Sequence, residues 1–127
     1  MSARILVIDD NPTNLKLVSE LLEFEGHQIL KAADAEEAQV VLADTLPELI
    51  LMDIALPGMD GLTLARKLKA DERTRHIRIV ALTAFAMKGD NQKAFDAGCD
   101  GYITKPIDTR KLLEQVAELL AKERPDP

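Results

Sequence analysis

The segment Leu49-Ile50-Leu51-Met52-Asp53 is a continuous apolar run that ends in a carboxylate. Two other segments repeat this arrangement: Ile5-Leu6-Val7-Ile8 ends in Asp9-Asp10, and Tyr102-Ile103-Thr104 ends in Lys105. Apolar runs of this kind are typical of strands in a parallel sheet that is covered on both faces. Ligands of such sheets bind at the carboxyl ends of the strands. The three segments therefore predict one pocket that holds three carboxylates and an ammonium group.

Strand and helix patterns alternate five times along the chain. Strands are predicted at 4–8, 28–32, 48–53, 78–83 and 101–104, and helices at 13–25, 35–44, 61–70, 86–97 and 108–122. Five such units with short connections favour a doubly wound α/β fold, a parallel sheet in the order 2-1-3-4-5 that is called flavodoxin-like. In this order strands one and three are neighbours, so that Asp9, Asp10 and Asp53 come together.

Length and charge exclude several classes of protein. The 127 residues predict a single domain over residues 1–127. The net charge of −6 argues against a nucleic-acid surface, which needs clustered lysine and arginine. No apolar run is long enough for a membrane span. Cys99 is the only cysteine, which excludes an internal disulfide and fits the cytoplasm.

The carboxylate cluster needs a cation. Two ionised carboxylates about 4 Å apart repel each other by ~4 kcal/mol at an effective dielectric constant near 20. Mg²⁺ is the predicted ion, because it prefers oxygen ligands and often combines one or two carboxylates with a phosphate. An aspartate in such a site can attack a phosphoryl donor. Lys105 would supply a point charge to a phosphoryl oxygen, and Thr83, at the end of the fourth strand, would supply a hydroxyl group.

Each of these residues also has an ordinary structural interpretation. Paired aspartates after a strand more often belong to turns and helix caps than to metal sites. Thr83 alone is a common strand-end residue, Lys105 alone a common surface lysine, and Tyr102 more often packs in a core than acts as a switch. Their coincidence at the strand ends of one predicted sheet is what favours a functional site.

The first helix has an apolar arc wider than a core stripe requires. Val18 and Leu21 lie near the centre of the arc and are predicted to be in the core, whereas Leu15 lies at one margin, close to the predicted pocket. Two interpretations remain open here: a broadly buried helix, or an exposed face on which a helical partner docks.

Taken together, the segments 5–11, 49–61, 81–84 and 101–106 resemble the receiver domain of bacterial two-component response regulators in both order and spacing. The resemblance implies that Asp53 is the phosphoacceptor. It further implies that Asp10 and Asp53 bind Mg²⁺ (with Mn²⁺ as the alternative ion) directly, together with the carbonyl of Ala55, and that Asp9 acts on the ion through water.

The remaining site residues follow from the same resemblance. Lys105 and the Thr83 hydroxyl would hold the phosphoryl oxygens, with the backbone N–H groups of Ala55 and Ala84 assisting. Activation would couple Thr83 to Tyr102, whose ring turns inward when the hydroxyl moves. A cis peptide bond is expected before Pro106.

The resemblance also implies partners. The segments 11–14 and 81–90 are most similar to receivers of phosphorelays, both single-domain cell-cycle regulators and those attached to hybrid histidine kinases. The implied phosphodonor is a histidine kinase or a histidine phosphotransfer protein, with docking expected around Leu15 and Pro106. The resemblance further implies that the chain acts on a separate downstream protein target. It also implies that the chain is a monomer or forms a weak dimer.

Three alternatives compete with this interpretation. The chain would be a receiver cut from a hybrid kinase, or a scaffold receiver that binds partners without being phosphorylated, or a small phosphohydrolase of the haloacid dehalogenase type. The third also uses an aspartate at a strand end, but its Asp-x-Asp motif is not matched here, because position 11 is asparagine.

Overall fold

Strands and helices alternate in the structure, a computed structural model that describes residues 3–56, 58–83 and 90–121. The strands are β1 (Arg4–Ile8), β2 (Gln28–Ala32), β3 (Leu49–Asp53), β4 (Arg78–Thr83) and β5 (Gly101–Thr104), and the helices are α1 (Pro12–Phe24), α2 (Ala35–Asp44), α3 (Gly61–Ala70), α4 (Asp90–Asp96) and α5 (Thr109–Ala121). The predicted elements are confirmed, with bounds within one residue for all but α4. The predicted start of α4 at residue 86 lies outside the described residues.

All strand pairs are parallel, and the order in the sheet is β2-β1-β3-β4-β5. The register pairs Ile8 of β1 with Met52 of β3, and Asp53 with Leu82 of β4. The predicted fold class and strand order are therefore confirmed, and the ends of β1, β3 and β4 lie side by side at one edge of the sheet.

Both faces of the sheet are covered, which explains why its strands are apolar without alternation. Alternate side chains point to opposite faces. On one face, the strand residues Ile5, Val7, Leu49, Leu51, Val80, Leu82 and Ile103 pack with Val18 and Leu22 of α1 and with Leu112 and Val116 of α5. On the other face, the strand residues Leu6, Ile8, Ile50, Met52, Ile79 and Ala81 pack with Ala38 of α2, Leu64 and Ala65 of α3, and Ala94 of α4.

The helices begin at the edge of the sheet that holds the strand ends, and short polar side chains cap them. Asn11 accepts hydrogen bonds from the N–H groups of Thr13 and Asn14 before Pro12 opens α1. Asp34, Asp60 and Asp108 accept equivalent bonds at the starts of α2, α3 and α5. These caps satisfy N–H groups that have no partner inside a helix, so α1, α2, α3 and α5 each start at a defined residue.

Helix α1 is turned slightly away from the predicted orientation. Val18 and Leu22 are fully buried, whereas Leu21, predicted to be in the core, is only partly buried. Leu15 is half-buried and packs against the core, and the exposed apolar side chains of α1 are Leu17 and Phe24. The centre of the buried arc is therefore set by packing of α1 on β1 and β2, not by the midpoint of its apolar residues.

Among the described residues, no helix combines the length and the apolar character that a membrane crossing requires.

Candidate functional site

Three carboxylates meet where β1 and β3 end. Asp9 and Asp10 directly follow β1, and Asp53 is the last residue of β3. The backbone N–H of Asp9 donates to the Ala32 carbonyl, which extends the pairing of β1 with β2 by one residue. One carboxylate oxygen from each of the three residues lies within 4.8 Å of the others. Asp9 is 1% exposed and Asp53 4% exposed, whereas Asp10 faces solvent.

Lys105 brings a positive charge to the buried pair. Its Nζ lies 2.6 Å from Asp53 Oδ2 and 3.5 Å from Asp9 Oδ2. Its backbone N–H donates to the Thr83 carbonyl at 2.6 Å, which places residue 105 at the same edge as the carboxylates. Burial alone would lower the pKa of this ammonium group, but the hydrogen bond from Lys105 to Asp53 and the charges of Asp53 and Asp9 raise its pKa overall. The group is therefore held in its charged form.

In each buried carboxylate, Oδ2 faces Lys105 and Oδ1 accepts a hydrogen bond from a backbone N–H group. Asp53 Oδ1 accepts from the Ala55 N–H at 2.9 Å, and Asp9 Oδ1 accepts from the Asn11 N–H at 2.9 Å. Asp9 Oδ2 is buried and has no hydrogen-bond partner, since Lys105 at 3.5 Å contributes its charge without a well-formed bond. Burial raises the pKa of Asp9, and the charge of Asp53 adds to this effect, while the Asn11 hydrogen bond and Lys105 oppose it.

This donor set fits a hard divalent cation. A buried carboxylate oxygen without a partner is costly unless something in the complete site pairs with it. Asp9 Oδ2 is such an atom, and it lies beside the oxygens of Asp10 and Asp53. Three oxygen ligands with one side open to solvent are a suitable partial shell for Mg²⁺, which keeps several waters. Asp9, Asp10 and Asp53 could therefore hold Mg²⁺.

Thr83 and Tyr102 lie on adjacent strands. Thr83 ends β4 and is nearly buried, and the β4–β5 register pairs it with Thr104 and pairs Ala81 with Tyr102. Tyr102 is half-buried against the cluster formed by α2, α3 and α4. Ala84, expected to assist with its N–H, lies outside the described residues. The peptide bond between Lys105 and Pro106 is cis, as the resemblance predicts.

A groove of about 560 Å³ lies beside Lys105, between α1 and the segment that connects β5 to α5. Asn14, Leu17, Pro106 and Ile107 line it together with Lys105. Pro106 is one of the two residues predicted for partner docking. Leu15, the other residue predicted for docking, is half-buried and packs against the core, whereas Leu17, which is 43% exposed, lines the groove.

Gly61 makes a close contact beside the site that the sequence did not predict. It opens α3, as predicted, and lies directly against the backbone of Asp53 and Ile54. The sequence signal is an Asp-Gly pair at a helix start, which also occurs in ordinary caps. Only the structure shows how close this approach is.

Comparison with known proteins agrees with this geometry. The model of the response regulator receiver domain family matches residues 5–117. The polar-differentiation response regulator DivK of Brucella ovis is 39% identical over 120 residues, which cover 94% of this chain and 98% of that protein. The phosphohydrolase alternative is thereby displaced.

Solved structures give the same result. A CheY-like receiver domain protein from Methanospirillum hungatei superposes with a TM-score of 0.86 at 33% identity, covering 94% of both chains. The receiver domain of a sensor histidine kinase from Pseudomonas aeruginosa, with a magnesium ion coordinated in its active-site cleft, superposes with a TM-score of 0.87 at 30% identity, covering 96% of this chain and 100% of that one. From its fold, its site and these relatives, the chain belongs to the receiver domain family of response regulators.

Proposed function

We propose that Asp53 accepts a phosphoryl group from a phosphohistidine of a histidine kinase or a histidine phosphotransfer protein, and that the phosphorylated chain signals by binding a downstream protein. The observation that carries the proposal is the 2.6 Å bond between Lys105 Nζ and Asp53 Oδ2. A fixed cation beside the nucleophile reduces the repulsion that an incoming phosphoryl group meets.

The transfer step uses residues at the strand ends. A carboxylate oxygen of Asp53 attacks phosphorus, the bond between phosphorus and the imidazole nitrogen breaks, and its electron pair stays on that nitrogen. Lys105, on a flexible stem, can follow the charge from the carboxylate to a phosphoryl oxygen. The Thr83 hydroxyl and the N–H groups of Ala55 and Ala84 would donate to the other oxygens.

Asp9, Asp10, Asp53 and the carbonyl of Ala55 are the groups that would hold Mg²⁺, with Mn²⁺ as a substitute. When bound, the ion neutralises charge that the carboxylates and the phosphoryl group bring together. The unpaired Asp9 Oδ2 and the magnesium-containing relative both support this assignment.

The proposed switch couples Thr83 to Tyr102. Paired residues of parallel strands share a face of the sheet, so Ala81, Thr83 and Tyr102 point toward the layer of α2, α3 and α4. A turn of the Thr83 hydroxyl toward the phosphoryl group would free space near the Tyr102 ring. The surface next to β5 would then change shape, and the target would bind this changed surface.

The groove beside Lys105 is the proposed docking site of the phosphodonor. It is open, partly apolar and continuous with the catalytic edge through Lys105 and Pro106. We further propose a cytoplasmic monomer or weak dimer whose partners are proteins, since a net charge of −6 disfavours nucleic acid. Its catalysis is confined to its own phosphorylation and dephosphorylation.

The test is incubation with acetyl phosphate and Mg²⁺, followed by mass spectrometry of the intact chain. We expect one phosphoryl group on the parent and none on Asp53→Asn. Asp108→Asn is the matched control, because asparagine can keep the cap of α5, and it should label like the parent. Labelling that persists in Asp53→Asn, or continuous release of phosphate by a chain that never becomes labelled, would contradict the proposal.

A further inference from the structure

Gly61 approaches the phosphoacceptor backbone more closely than any other residue type could. A Cβ atom at position 61 would lie 2.6 Å from the Asp53 carbonyl oxygen and 2.8 Å from Ile54 Cα, whereas ordinary van der Waals contact begins at 3.4 Å. Both obstacles are backbone atoms, so no flexible side chain can move aside to relieve the contact. A side chain at position 61 would therefore push α3 away from Asp53.

The same approach orients a single peptide group. The Gly61 N–H donates to the Ile54 carbonyl at 2.9 Å, and the Leu56 N–H donates to that carbonyl at 3.0 Å. In a planar trans peptide the C=O and N–H groups point in opposite directions. The N–H of this peptide belongs to Ala55, and it donates to Asp53 Oδ1 at 2.9 Å. One peptide plane thus lies between Gly61 and the carboxylate.

We infer that Gly61 is a positioning residue for phosphoryl transfer: through the Ile54–Ala55 peptide it sets the rotation of the Asp53 carboxylate. Lys105 binds one oxygen of this carboxylate, and the peptide N–H binds the other. If the peptide turns, one of these two restraints is lost and the carboxylate no longer faces the donor in a fixed orientation. The inference rests on the proposed function of Asp53.

The test compares Gly61→Ala with the parent in labelling by acetyl phosphate at saturating Mg²⁺. A misplacement of an ångström at a reacting group can cost about a hundredfold in rate, so we expect the maximal labelling rate to fall by about ten- to a hundredfold. The acetyl phosphate concentration at half-maximal rate should change little, because the donor contacts remain. The Ala55 amide should also exchange its hydrogen faster, while amides of the sheet core keep their protection.

Two further variants separate positioning from loss of stability. Gly98→Ala is strained at the other end of the strands, because Gly98 has a φ of +101° and a Cβ there would lie 2.6 Å from Lys69 Cγ. It should lose stability and keep a labelling rate within about twofold of the parent. Asp60→Ala removes the cap that Asp60 provides to the Thr63 N–H, and so loosens the start of α3 without a clash. It should slow labelling by a factor between those of Gly98→Ala and Gly61→Ala. If Gly61→Ala does not fold, the labelling rate of Asp60→Ala is the measurement that tests the positioning role.

The outcomes are distinguishable. If the parent is never labelled, the proposed function fails. If the parent is labelled and Gly61→Ala reaches the parent rate, or is slowed no more than Gly98→Ala, the positioning role is overturned. An unchanged exchange rate at the Ala55 amide in a slow Gly61→Ala variant would also overturn it, because the peptide would then not have moved.

Discussion

Among the described residues, two buried side-chain oxygens have no hydrogen-bond partner, Asp9 Oδ2 and Ser19 Oγ. They have different surroundings. Asp9 Oδ2 lies beside two further carboxylates and an ammonium group, in a site that can accept a cation. Ser19 lies on the buried face of α1, between Val18 and Leu22. Asp9 Oδ2 therefore belongs to the functional site. Ser19 Oγ lies outside the site and lowers the stability of the fold, because it is buried without a hydrogen-bond partner.

Replacing Asp9 by asparagine should stabilise the metal-free protein at neutral pH. Burial raises the pKa of Asp9, so the stability linked to this group is complete below its unfolded pKa of about 3.8 and is lost as pH rises through the higher folded value. At pH 7 the ionised group costs stability, and Asp9→Asn removes that cost. Urea unfolding in the presence of EDTA should show a gain on the order of 1 kcal/mol, the usual scale for a single substitution.

The sign of this effect should reverse with metal. Mg²⁺ at a hundred times its dissociation constant stabilises the native state by about 2.7 kcal/mol, and Asp9→Asn should lose most of this gain because it lacks one of the negative charges that attract the ion. At pH 3 the two proteins should be similar, since Asp9 is protonated in both the native and the unfolded state of the parent. A variant that is less stable than the parent at pH 7 without metal would contradict the assignment.

Ser19→Ala should stabilise the protein by about 1 kcal/mol. The change removes a buried hydroxyl group that has no partner, and alanine has the higher helix propensity. Urea unfolding measures the gain, and labelling by acetyl phosphate should be unchanged, because Ser19 is not part of the site. A loss of stability would show that the hydroxyl group is satisfied in solution.

At the scale of elements, α1 packs against the core with one face and is exposed to solvent on the other. Val18 and Leu22 are buried in the core between α1 and the sheet, while Leu17 and Phe24 point outward, with Phe24 91% exposed. The two exposed residues lie at different distances from the site. Leu17 lines the groove that contains Lys105, whereas Phe24 is the last residue of the helix, two turns further away.

Leu17→Asp should impair transfer from a protein donor and leave labelling by acetyl phosphate unchanged. A helix that docks in the groove would bury position 17, and a carboxylate there would be desolvated without a partner. We expect phosphotransfer from a phosphorylated histidine phosphotransfer protein to slow by about tenfold, the scale of a central interface residue. Phe24→Asp is the matched control on the same helix and should have a smaller effect. Equal losses in both variants would place the docking surface elsewhere.

At the scale of the whole molecule, the two ends of the sheet have different roles. The carboxyl ends of the strands hold the charged site, and the amino ends are tied together by structural bonds. There Lys69 Nζ donates to the Ile77 carbonyl at 2.8 Å and to Asp100 Oδ2 at 3.2 Å, and Asp100 also accepts from the Ile79 N–H. Cys99, next to Asp100, is buried. Changes at this end should therefore affect global stability and not phosphoryl transfer.

Cys99 should report on unfolding of the whole molecule. Burial raises the pKa of its thiol to about 11, and the charge of Asp100 adds to this while Lys69 opposes it. Because the thiolate is the reactive form, alkylation by iodoacetamide at pH 8 should be at least about a hundredfold slower in the native protein than in urea. The stability linked to this thiol is complete below pH 9 and is lost as pH rises toward 11. Cys99→Ala should lack that loss, and rapid labelling of the native parent would contradict the buried placement.

Much of the fold was predictable, because the signals that decide it are local. Unbroken apolar runs such as Leu49–Met52 predict strands covered on both faces, and five alternating units leave few topologies for a parallel sheet. The grouping of Asp9, Asp53 and Lys105 then follows, since each ends or follows a strand of the same sheet. The orientation of α1 was not predictable to this degree: an apolar arc that includes Leu15, Leu17 and Leu21 is compatible with several rotations of the helix, and only packing against the sheet selects one.

The amino-acid sequence by itself determined the elements, their order and the edge of the sheet at which charge gathers, because hydrophobic periodicity and capping residues act over a few neighbouring positions. The tertiary structure alone decided which atoms meet there: Lys105 Nζ contacts Asp53 Oδ2, and Gly61 contacts the backbone of Asp53. It also decided that Asp9 Oδ2 is buried without a hydrogen-bond partner. These contacts join residues that are distant along the chain or separated by a loop. Their distances depend on how whole helices and strands pack, to within a fraction of an ångström, and no local pattern encodes that.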